Sequence, residues 1–420
     1  MQYIINGGRK LMGKVRVSGN KNSVFPCIAA ALLTQEEVIL ENISDLLDTE
    51  VLIQILKKLG VAVEKNKSVL SIKAVQIRQP NLPEDLMVKL RGSIVLVGAL
   101  LGRLSKVNFY HPGGDIIGRR SIETHINGFK ALGAVLKRNG SKFSLFLSND
   151  SVLHPSEIFL SEASVTATEN LILAGVLGNR IVILQNCAKE PHVSDLCRML
   201  VQMGARIEGI GTDTIRITGV ENLHGTKFRI GADYIEVGTY VVACAITGGE
   251  VIIEGTEGTF LEPALAPLKS FGIKTEEGKD SIKVFPSKLK SAPKLVTNIW
   301  PGFPTDLMSV AIVLATQSKG VSLCHDWMYE GRMFFIDKLI TMGAKIILAD
   351  PHRVLVYGPD KLRGKELSSP DIRAGMALVV AALAAKGKSV INQAELIERG
   401  YEDVVYKLKS LGADIERAEV

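Results

Sequence analysis

The stretch HPGGDIIGRR, residues 111–120, sets one carboxylic acid, Asp115, directly after two glycines and close to two fixed positive charges, Arg119 and Arg120. A carboxyl held this way responds to whatever anion the arginines bind. Other polar groups stand where anions bind well. The segments SGNKNS (18–23), KLRGS (89–93), EASVTAT (162–168), ADYIEVGT (232–239), GFPTDL (302–307) and PDIRAG (370–375) each precede a nearly all-apolar run. If those runs are helices, their first turns offer unpaired N–H groups and a positive dipole end. Lys21, Arg91 and Arg373 add full charges there. Arg120 and Arg399 each lie 13 residues before a recurring glycine, Gly133 and Gly412, and are expected at the start of surface helices. Taken singly, each residue has an ordinary explanation. An arginine at a helix start is usually solvated, Asn22 or Asp306 usually a cap, HPGG a tight turn and His125 a packed structural histidine. What singles them out is recurrence at equivalent places.

The elements that must position them repeat six times. The phrases LKKLGVAV, FKALGAVL, LVQMGARI, LKSFGIKT, LITMGAKI and LKSLGADI carry Gly60, Gly133, Gly204, Gly272, Gly343 and Gly412, spaced 73, 71, 68, 71 and 69 residues apart. Each reads as the end of an amphipathic helix closed by a glycine and followed by a strand. Between them lie β-branched strand phrases such as RIVILQN and GEVIIEG, and before each strand a helix apolar all round, such as SVFPCIAAALL or ALVVAALAA, which must be buried. A further phrase, a strand running into G-x-x-x-L-x-G, follows the glycine by about a dozen residues in IRITGVENLHG and VLVYGPDKLRG; after Gly412 the chain ends before this strand, while residues 4–13 supply it, so the first 20 residues are expected to complete the last unit. This predicts an α/β chain of two pseudo-threefold domains: residues 22–229, carrying the Asp115 loop, and residues 1–21 plus 230–420. If both domains aim their helix ends at a shared cleft, that cleft would close around a polyanion.

Composition narrows the classes. Hydrophobic residues are 46% and aromatics 5%, so small aliphatic side chains do the packing. The net charge of +6 comes with interspersed acids and bases and no basic tract, which speaks against a nucleic-acid partner. Five scattered cysteines without a CxxC suggest a reducing compartment without zinc or disulfides. The start MQYIINGGRKLMG has no apolar run behind its charges, and the apolar stretches are shorter than a membrane span. A cytoplasmic protein is expected.

The phrases SGNKNS, PGGDIIGRR, FPTD, DIRA and ERGYED together resemble the enolpyruvyl transferases over essentially the whole chain; SGNKNS, rather than a PGDKS-type start, points to the branch that uses UDP-N-acetylglucosamine. The resemblance implies an inside-out α/β barrel of two domains, three units each, with helices inside and sheets outside. It implies transfer of enolpyruvyl from phosphoenolpyruvate to the sugar 3-hydroxyl with release of phosphate, by addition then elimination, as the first committed step of peptidoglycan synthesis. No metal or organic cofactor is implied, and the protein is expected to be a monomer or weak oligomer. Carried over position by position, Lys21, with Asn22 beside it, contacts phosphoenolpyruvate, and Arg120 and Arg399 grip its phosphate and carboxylate. Asn22, Arg91, Arg120, Ser121, Ile122, Glu123 and Thr124 contact the sugar nucleotide, Ser164 and Val165 hold the uridine, and Met328 lines the sugar site. Asp306 accepts the sugar hydroxyl's proton. Arg332 and Arg373 are cleft arginines. Asp115 stands where most of the family has a cysteine and donates the proton to the methylene carbon, with Gly113–Gly114 as hinge. Glu162, Val95 and Glu123 depart from the family's usual lysine, tryptophan and aspartate. They leave room for a paralogue with another nucleotide acceptor, or for a non-catalytic UDP-sugar binder.

Overall fold

The computed structural model describes residues 1–115, 117–118, 120–147 and 156–419. The chain divides into two compact units. One holds Met1–Ser18, a short stretch beginning at Asp115, and the residues from Ala232 onward; the other holds Gly19–Gly114 and Arg120–Gly231.

Among the described residues each unit has three sheets. The recurrent pattern is a strand parallel to a central strand, which is antiparallel to a third, which is antiparallel to a fourth. In the second unit Thr226–Arg229 runs parallel to Glu37–Glu41, which pairs with Val69–Lys73, which pairs with Ala62–Asn66. Ser156–Phe159 and Ile181–Gln185 begin a sheet of the same design. The sheet of Lys106–Tyr110 has three strands, and a single parallel bridge from Asn81 to Asn108 stands where the fourth would be. In the first unit the last sheet borrows Gln2–Asn6, which lies between Lys388–Asn392 and Asp414–Ala418. The N-terminal residues serve two sheets rather than one, because Met12–Arg16 pairs in parallel with Glu250–Glu254.

The helices before the central strands are buried, as their composition requires. In Lys21–Ala31 every side chain but Asn22 is buried; Ile372–Ala384 and Met308–Thr316 are equally enclosed. Small residues let these helices approach one another. A Cβ on Gly98 would sit 2.1 Å from the Asn170 carbonyl oxygen, and the Gly98 N–H donates to Asn170 Oδ1 at 2.6 Å. The strands alternate, as in the exposed–buried–half-buried pattern of Glu250–Glu254, so one face of each sheet covers its helices. All six recurrent glycines have left-handed backbones, with φ of 87° to 104°, the conformation that ends a helix most cheaply on glycine. Each unit has its own hydrophobic cluster. The five cysteines are buried and unbridged. No helix among the described residues is long and apolar enough to cross a membrane.

Candidate active site

Helix starts set the positions of the site residues. In the first unit, Asp233 and Asp371 cap the helices Tyr234–Thr247 and Ile372–Ala384, each accepting two backbone N–H groups. Burial raises both acids, and those N–H groups oppose the rise. Asp306 lies in the 3-10 turn Thr305–Leu307 that leads into Met308–Thr316. Arg332 Nη2 donates to its Oδ1 at 2.9 Å; Arg373 donates to its Oδ2 from Nε at 3.0 Å and from Nη2 at 2.9 Å. Both guanidinium groups are buried. Burial works against their charge, but Asp306 leads the neighbours that outweigh it and keep both protonated. Thr305 and Arg332 also engage Asp326, whose Oδ1 accepts the Met328 N–H at 3.0 Å.

The same unit, rather than the one expected to carry its loop, holds Asp115. Its Oδ1 accepts from Arg399 Nη1 at 2.9 Å, with each side chain 18% exposed. Ile117 and Gly118 are docked in this unit: the Ile117 carbonyl accepts the Gly331 N–H at 2.9 Å, and a Cβ on Gly118 would meet the Glu330 carboxylate at 2.6 Å. Arg399 closes the 3-10 turn Ala394–Arg399, and the helix follows only at Val404. Arg120 likewise precedes its helix, which begins at Glu123. Arg120 therefore lies ahead of its surface helix and Arg399 ends a 3-10 turn ahead of its own, neither at a helix start. Arg119 lies outside the described residues.

In the second unit, Lys21 opens its helix, with Asn20 as the cap that accepts the Asn22 N–H at 2.9 Å. Lys21 Nζ pairs with Asp48 at 2.7 Å, both side chains buried. Arg91 Nη2 donates to the Ser121 carbonyl at 2.9 Å, and Ser121 Oγ accepts the Glu123 N–H, which orders the stretch before Thr124. Thr124 Oγ1 reaches Ser161 and Glu162, and Ile122 is buried beneath. Ser164 precedes the helix Val165–Gly175. Gly113 and Gly114 are required by close packing: a Cβ would lie 1.7 Å from the Val88 carbonyl oxygen and 2.7 Å from Arg91 Cβ, respectively. Val95 is buried at its helix start. His125 is a packed neutral ring, pushed down to about 3 by burial and the Arg91 charge. It accepts from Asn170 Nδ2 at Nδ1 and reaches Thr166 through Nε2.

The structure thus brings Asp115 to Arg399, Asp306 to Arg332 and Arg373, and Arg91 to Ser121. Sequence reasoning missed Asp48, Asp326 and Tyr401, whose ring lies 5.3 Å from the Arg373 guanidinium carbon. Asn20, Asp233 and Asp371 lay in segments read as polar helix entries, but were not singled out as the caps.

Comparison with known proteins bears on this arrangement. Residues 5–408 match the family model described as EPSP synthase (3-phosphoshikimate 1-carboxyvinyltransferase). The chain is 45% identical to the UDP-N-acetylglucosamine 1-carboxyvinyltransferase of Borreliella burgdorferi, covering 99% of each chain. It is 44% identical to the protein of the same name from Treponema denticola, covering 100% of this chain and 99% of the other. Among solved structures, the enolpyruvyl transferase NikO from Streptomyces tendae superposes with a TM-score of 0.88 at 25% identity, covering 99% of this chain and 98% of that one.

Proposed function

The chain belongs to the enolpyruvyl transferase family, and we infer that it transfers enolpyruvyl from phosphoenolpyruvate to the 3-hydroxyl of UDP-N-acetylglucosamine, the first committed step of peptidoglycan synthesis. The observation that carries the chemistry is the Asp115–Arg399 pair, an acid held 2.9 Å from an anion-binding group. In the addition step the sugar oxygen bonds to C2 of phosphoenolpyruvate while C3 takes a proton. In the elimination step C3 returns a proton and the C2–O bond to phosphate breaks. Asp115 supplies the proton to C3. Asp306, held by Arg332 and Arg373, receives the proton of the 3-hydroxyl. Lys21, Arg120 and Arg399 bind the phosphate and carboxylate of phosphoenolpyruvate, with Asn22 beside them. Arg91, the 120–124 stretch, Ser164, Val165 and Met328 bind the sugar nucleotide.

The test is phosphate release from phosphoenolpyruvate with UDP-N-acetylglucosamine, beside the same assay with other nucleotide acceptors. Release with UDP-N-acetylglucosamine is expected. Release only with another acceptor would move the specificity elsewhere, and no release with any acceptor would leave a UDP-sugar binder.

A further inference from the structure

We propose that Tyr401 is a positioning residue that holds Arg373, and through it the Asp306 carboxylate, by the face of its ring. This rests on the reading of Asp306 given above. Tyr401 is buried, two residues beyond Arg399. Its hydroxyl lies 2.9 Å from Thr239 Oγ1, and Thr239 gives its own proton to the Ile235 carbonyl at 2.8 Å. The tyrosine therefore donates to Thr239, and its ring is pinned from the helix Tyr234–Thr247. The Arg373 guanidinium carbon stands 5.3 Å from the ring centroid, a distance at which the electron-rich face attracts a cation, more strongly where water is excluded. Burial raises Tyr401, and both the Arg373 charge and a contact from Arg373 to the hydroxyl oppose the rise, so the ring stays a neutral phenol whose face and hydroxyl both meet the arginine; the variants below separate the two.

An arginine has several rotatable bonds, and Arg373 bonds one oxygen of Asp306 through both Nε and Nη2. That geometry needs the guanidinium plane fixed. Arg332 holds the other oxygen at 2.9 Å. Among the described residues, the charged groups near the carboxylate include Arg332, beside Asp326, Arg373, and Asp233, which acts on both Arg373 and Asp306; Asp371 lies near Arg332. If the ring contact weakens, Arg373 favours the ionised Asp306 less, and the acidic limb of the rate profile moves to higher pH.

The test replaces Tyr401 by phenylalanine and by mono-, di- and trifluorinated phenylalanines, which keep the ring's shape while draining its face of charge. The Tyr401→Phe enzyme is expected to keep at least about a third of kcat. Across the fluorinated series kcat should fall roughly three- to tenfold, with the acidic limb rising and KM for phosphoenolpyruvate nearly constant. Equal kcat and an unmoved acidic limb across the series overturn the proposal, as does a folded but inactive Tyr401→Phe enzyme, which would assign the role to the hydroxyl. Should the wild type itself fail to turn over, the reading of Asp306 falls first, and with it this inference.

Discussion

Asp115 and Arg399, 284 positions apart in sequence, form an ion pair at 2.9 Å. Under the proposed mechanism the same guanidinium binds an anionic group of phosphoenolpyruvate, so substrate and Asp115 compete for it. A carboxylate that loses its cation beside a new anion gains affinity for a proton. Phosphoenolpyruvate binding should therefore be accompanied by proton uptake. Calorimetry in two buffers of different ionisation enthalpy is expected to show uptake with the wild type and none with Asp115→Asn, which should also bind phosphoenolpyruvate more tightly.

An epoxide of the fosfomycin type inactivates by alkylating a thiolate, and a carboxylate is a far weaker nucleophile. The wild type should survive prolonged incubation with such an epoxide without time-dependent loss of activity. Asp115→Cys should become sensitive. Rapid inactivation of the wild type with a covalent adduct on Asp115 would refute this.

Gly331 seats Ile117, two residues beyond Asp115. A Cβ there would lie 2.6 Å from the Ile117 carbonyl carbon, so Gly331→Ala must displace it. Misplacing a catalytic group by about 1 Å can cost 10²-fold in rate, and a loss of that order in kcat is expected with little change in thermal stability. An alanine enzyme with wild-type kcat would show that the docked position is irrelevant to turnover.

Lys21 and Asp48 form a buried pair at 2.7 Å. Removing one partner leaves an uncompensated buried charge, at a cost of about 3–5 kcal/mol. Lys21→Met should therefore lower both stability and activity. The double variant with Asp48→Leu should recover most of the stability and none of the turnover, which separates the lysine's two roles by denaturant titration and assay.

Burial pushes Glu190, at the start of the helix Pro191–Gln202, up to about 7 from an ordinary 4.5, and it raises neighbouring Glu169 well above its usual range. An acid raised in the folded state adds stability below its unfolded value. That stability is lost as pH climbs through 4.5 to about 7. The Glu190 shift amounts to roughly 3 kcal/mol. Melting curves should show the wild type weakening across this window and Glu190→Gln weakening distinctly less.

Much of the fold was legible because backbone rules leave traces at fixed spacing. Gly60, Gly133, Gly204, Gly272, Gly343 and Gly412 recur because each helix ends in a left-handed residue, and the strand at Gln2–Asn6 was readable from the G-x-x-x-L-x-G phrase that follows it. The companion strand Met12–Arg16 was not readable, since its partner Glu250–Glu254 offers no sequence mark for which parallel neighbour it takes. In the site, charged residues at helix entries stood out, but their partners did not. Asp48 looks like any acid in a first helical turn, Asp326 like a strand-end polar residue, and Tyr401 like core. Each acts through a tertiary contact with no period to betray it.

The central claim is that Asp115 delivers a proton to C3 of phosphoenolpyruvate. The most direct measurement is a turnover in heavy water with mass analysis of the enolpyruvyl product. A carboxylic acid exchanges with solvent before each cycle, so the wild type should place deuterium on the vinyl carbon, and Asp115→Ala should yield neither product nor label. Product formed by Asp115→Ala at the wild-type rate, with the same label, would contradict the account.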